Sequence, residues 1–69
     1  MRVNVNKLKG KITESQITME GLAETIGIDA STFYRKLKAN GLTFTVAQMH
    51  QIVDALHLTK DEATQIFLS

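Results

Sequence analysis

Apolar residues in this chain recur every three or four positions from Val5 to Phe67, and each run follows a residue whose short polar side chain can cap a helix. No other feature constrains the fold as much, because this period buries one stripe of a helix whereas a half-buried strand needs strict alternation. Asn4 precedes Val5, Leu8 and Ile12, which define a first helix over 5–15 with Lys7 and Lys11 on its opposite side. Thr18 opens a short second helix that buries Leu22, Ala23 and Ile26 and ends at Gly27, where a missing Cβ permits the positive φ of a helix C-terminus. Asp29 caps a third helix running to Ala39, with Phe33 and Leu37 inward and Asn40-Gly41 as its stop. Thr45 caps a fourth, whose Val46, Met49, Ile52, Val53 and Leu56 form the widest apolar stripe and make it the organiser of the core. Thr59 and Glu62 have capping-box spacing and open a fifth helix with Ala63, Ile66 and Phe67 on one side. The fold class is therefore all-α: five helices, no sheet, one domain over 1–69.

A chain of 69 residues buries only about 60% of the surface it exposes when unfolded, so its stability rests on compact local packing. It has no cysteine, which removes disulfides and thiolate metal sites and fits a reducing compartment, the cytoplasm by default. Met1 to Asn6 alternate apolar and polar residues and form no signal-peptide core. No apolar run approaches the roughly 20 residues that span a bilayer, so no membrane partner is expected.

The formal net charge of +1 hides a segregation. Arg2, Lys7, Lys9 and Lys11 have no acid among them; Glu14, Glu20, Glu24 and Asp29 follow with no base; then come Arg35, Lys36 and Lys38. A nearly neutral chain can thus carry a basic face, although ordinary solvated helix surfaces produce the same blocks.

The segment from Thr18 to Leu37 reads as helix, tight turn, helix. Ala23 supplies the small residue that a close helix crossing needs, Gly27 the sharp turn, and Phe33 the apolar anchor of the returning helix. With one helix before it and two after it, this segment resembles the phage repressor and Cro-like (Xre-type) helix-turn-helix family over residues 5–67. The resemblance implies a five-helix, lambda-repressor-like DNA-binding domain in which the second helix of the motif, 30–38, enters the major groove and the helix before it crosses the backbone. Carried over on Ala23, Gly27 and Phe33, the positions that meet base edges are Ala30, Ser31, Thr32 and Arg35, with Tyr34 at the border. Helical geometry agrees: at about 100° per residue, Arg35 lies nearly opposite Phe33 and Leu37, and Ser31 and Lys38 share its outer face. Arg35 can grip guanine O6 and N7, Ser31 can serve a base or a phosphate, and Tyr34 can pack on a thymine methyl, bond a phosphate, or complete the core edge. Phosphate contacts are expected from Lys7, Lys11, Thr18, Met19, Lys36, Lys38, Thr43 and Thr45, with Lys9 and Arg2 nearby and with Glu20 and Glu24 left to solvent. Two positions depart from the family pattern. Lys36 stands where an apolar residue is common, so the core contact shifts to Leu37, and Met19 replaces a frequent glutamine that can bond a phosphate.

Other chemistries find no support. His50 and His57 are about 10.5 Å apart along one helix axis, too far to share a metal. Gly10-Lys11 is followed by Ile12 rather than Ser or Thr, so it is no phosphate loop. The scattered Ser, His and Asp residues show no activated nucleophile. The sequence therefore points away from an enzyme, a metal, a cofactor or a small-molecule substrate. It points toward a transcriptional regulator of phage or prophage type that occupies a palindromic double-stranded DNA operator as a homodimer, in the cytoplasm or nucleoid of a bacterial host. With nothing after residue 69, the dimer surface is expected in this domain, the last helix with Phe67 and Leu68 being the best candidate, although Phe67 more readily closes the core. The alternative is a helical protein-interaction module, antirepressor-like, on the same scaffold.

Overall fold

A computed structural model describes residues 3–39 and 43–68. Asn40 and Gly41, the expected stop of the third helix, lie outside the described residues, as does Arg2. Among the described residues five helices follow in order: α1 (Val5–Glu14), α2 (Met19–Thr25), α3 (Ala30–Lys38), α4 (Val46–Leu56) and α5 (Lys60–Phe67). The architecture is an all-α five-helix bundle, as the apolar period requires.

The helix starts are set by side-chain caps that satisfy otherwise orphaned N–H groups. The Asn4 side chain accepts from the Lys7 amide at 3.1 Å and the Thr18 hydroxyl from the Gly21 amide at 2.9 Å. Thr45 with Gln48, and Thr59 with Glu62, form reciprocal capping boxes. Asp29 corrects its expectation: it occupies the cap position of α3 with extended backbone, but its side chain makes no capping bond. At the other end of α2, Gly27 adopts φ +79° while its amide bonds the Glu24 carbonyl and the Ile28 amide bonds the Ala23 carbonyl. This pair of bonds closes the helix and sends the chain into α3. α4 ends in the same way at His57, φ +51°, with the Leu58 amide on the Val53 carbonyl.

The core joins Leu8 and Ile12 of α1, Leu22 and Ala23 of α2 with Ile26 at its C-cap, Phe33 and Leu37 of α3, Ile52 and Leu56 of α4, and Ile66 and Phe67 of α5. Burying each large side chain contributes about 1.5–3 kcal/mol. α2 packs on α3 and α4, and α1 on α5. The Asn4 amide donates to the Ile66 carbonyl, pinning the start of α1 to α5.

The stripe expected on α4 is corrected in part. Ile52 and Leu56 are buried, Met49 and Val53 half-buried, and Val46 is 66% exposed. Val46 lies roughly 100° round the helix from the line between Ile52 and Leu56. With Met49, Val53 and Phe67 it instead lines a shallow apolar groove between α4 and α5. Val5 and Ala63 are half-buried rather than buried. Two core residues lie outside every periodic run. Val3 is buried, and Phe44 packs its ring 5.6 Å from that of Phe33 at 53°.

Candidate functional site

Phe33 and Leu37, both buried, fix how α3 is rotated and therefore which residues it presents. Ser31, Tyr34, Arg35 and Lys38 are exposed, and Ala30, Thr32 and Lys36 are half-buried. Arg35 donates from Nη2 to the Thr32 Oγ1 at 3.1 Å, a one-turn brace that holds the guanidinium along the helix. Tyr34, 41% exposed, donates its hydroxyl to Glu20 Oε2 at 3.5 Å. Glu20, assigned to solvent from the sequence, is exposed and also reaches across to α3.

Lys36 settles the departure noted in the sequence. Leu37 takes the buried position, and the Lys36 amine donates to the Thr43 carbonyl at 2.7 Å and lies 5.8 Å from the centre of the Phe44 ring. The side chain straps the end of α3 to the segment before α4, and its charge is held by a carbonyl and a ring face. The amine expected at a phosphate is thus engaged within the protein.

Two grooves flank α3. One is lined by Thr32, Arg35, Lys36, Ala39 and Thr43. The other is lined by Lys9, Met19, Tyr34, Leu37 and Lys38, and so is built from α1, α2 and α3 together. At the N-terminal end of α3, Glu24, Gly27, Ile28, Asp29 and Thr32 line a third recess. The structure thus gathers Thr32, Arg35, Lys36 and Thr43 on one side of the helix and Met19, Tyr34 and Lys38 on the other. Lys9 joins the second group; nothing in the period of α1 signals this, since it depends on how α1 meets α3.

The remaining expected residues are placed less uniformly. Lys11 turns toward α5, where its amine pairs with Glu62, and it also meets Glu14 at 3.4 Å. The amine expected at a phosphate is thus engaged with two carboxylates. The hydrogen bond from Lys11 holds the Glu62 carboxyl down at about 2, helped by the Thr59 amide, and the same bond raises the pKa of Lys11 against a smaller opposing effect of burial. Lys7 is half-buried on α1 and lines neither groove beside α3. The Thr18 and Thr45 hydroxyls are occupied as caps, and Met19 is half-buried against the core. Thr43 is exposed and lends its carbonyl to Lys36. Among the described residues no group of three or more His, Asp or Glu side chains is placed to hold a metal ion, and no helix is long and apolar enough to cross a membrane. No protein-family model, curated protein or solved structure matches this chain.

Proposed function

We propose that this chain is a sequence-specific double-stranded DNA-binding regulator with a lambda-repressor-like helix-turn-helix, α2 and α3 being the motif and α3 the recognition helix. The observation that carries the reading is the exposed face of α3. Ser31, Arg35 and Lys38 stand clear of the core, Thr32 braces Arg35, and Phe33 and Leu37 anchor the opposite side. A nine-residue helix is about 13.5 Å long, and the major groove, about 12 Å wide, admits a helix. Arg35 is the reader best suited to guanine, with Ser31, Thr32 and Tyr34 beside it and Ala30 at the tip where contact is apolar. Lys38 and Lys7 supply charge toward the backbone, and the amides of Val46 and Ala47, left without intrahelical partners at the start of α4, serve phosphates beside Thr43 and Thr45.

The action is occupancy of an operator rather than catalysis, without metal or cofactor, in the cytoplasm or nucleoid of a bacterial cell. Two copies on a palindrome would place their α3 helices about one helical turn, roughly 34 Å, apart. The apolar groove between α4 and α5, with Val46 and Leu68 exposed on it, is the surface we assign to the contact between copies. Phe67 is buried, so within α5 its role is core closure.

Selection from a random duplex pool with purified, folded protein at near-physiological salt tests the reading. It predicts enrichment of a palindrome whose half-sites are one turn apart. Absence of any enrichment would transfer the reading to the protein-interaction module.

A further inference from the structure

The groove between α1, α2 and α3 is lined by two lysines that the sequence keeps far apart. Lys9 and Lys38 line it from α1 and α3, Met19 and Leu37 give it apolar walls, and Tyr34 adds a hydroxyl. Two further lysines of these helices are engaged inside the protein, Lys11 by Glu62 and Lys36 by the Thr43 carbonyl, while Lys7 lines neither groove beside α3. Lys9 and Lys38 make no ion pair or side-chain hydrogen bond among the described residues, and both are exposed.

We propose that this groove holds one phosphate of the DNA backbone between Lys9 and Lys38, so that α1 and α3 clamp the same phosphate; the proposal rests on the DNA-binding reading above. Two cations beside one apolar-walled groove repel each other in the free protein, and a single anion between them turns that repulsion into two attractions. A lysine amine suits a phosphate as a point charge with three donors and needs no planar match. The Tyr34 hydroxyl is a further donor, because its bond to Glu20 at 3.5 Å is long and readily exchanged. Glu20 is the carboxylate that reaches Tyr34, and its charge weakens the site without closing it. Lys38 lies one turn after Tyr34 and on the same outer face as Arg35. A phosphate held there therefore sets how deep and at what angle the Arg35 face enters the groove.

The test is titration of a labelled duplex over a series of salt concentrations. The proteins are the wild type, Lys9→Gln, Lys38→Gln and the double variant, each checked for helix content by circular dichroism. Each single variant is expected to weaken binding to all sequences alike, and the double variant to flatten the slope of log affinity against log salt by about 0.9, the value for one phosphate. Lys9→Gln binding as the wild type does, or a double variant that flattens the slope by about twice that amount, would overturn the shared clamp while the DNA reading stands. A folded wild type that binds no duplex even at low salt would remove the reading and the clamp together.

Discussion

Gly27 and His57 occupy equivalent places, each just past a helix and each at positive φ, but only Gly27 suits that conformation. An L-residue there costs about 1–2 kcal/mol, of which a glycine recovers part after its own greater freedom in the unfolded chain is counted. His57→Gly is therefore expected to stabilise the protein by about 0.5–1 kcal/mol, read as a higher urea midpoint with unchanged slope. An unchanged or lower midpoint would mean that the imidazole makes a compensating contact. Single residues are also where the sequence was least legible. Phe44 belongs to the core, yet it sits in a connection with no period to mark it. Lys36 reads as a free cation until its amine is seen on the Thr43 carbonyl, and Lys11 until its partner Glu62 is brought in from the far end of the chain. In each case the partner is fixed by packing between elements, which local pattern does not encode.

At the scale of elements the sequence was far more informative, because helix starts are decided within four residues. Asn4, Thr18, Thr45 and Thr59 each cap the helix expected of them, and both capping boxes form. Asp29 shows the limit of that logic: residue type and position are right, but the side-chain bond is absent. The rotation of α3 was legible too, since Phe33 and Leu37 are inside and Arg35 outside. That of α4 was legible only in part, because Val46 fits the period and still faces the groove toward α5. Within α1, Gly10 is exposed in the helix interior and a Cβ built there meets no atom within 4 Å. Gly10→Ala is thus expected to raise stability by about 1 kcal/mol, the propensity difference between the two residues. A thermal or urea melt showing no gain would indicate that the open space around Gly10 is filled in solution.

For the molecule as a whole, the Lys11–Glu62 pair ties the first helix to the last, beside the amide of Asn4 on the carbonyl of Ile66. Glu62 titrates at about 2 when folded, against 4.5 for the free side chain. Its contribution is therefore complete above the unfolded value and is lost as pH falls from about 5 toward 2. Melts at pH 7 and pH 3 should show a smaller acid-induced loss for Glu62→Gln, whose amide can still serve the cap with Thr59; an identical loss would show that other carboxylates govern acid lability. In the function proposed above, α3 is the face through which this bundle meets DNA. The most direct test is the affinity of Arg35→Ala for the selected operator and for each of its single-base variants. Loss of about 1–3 kcal/mol confined to one base position per half-site, with discrimination there abolished, is the predicted result. Equal affinity of the two proteins for every duplex would contradict the reading of α3 as the helix that recognises the sequence.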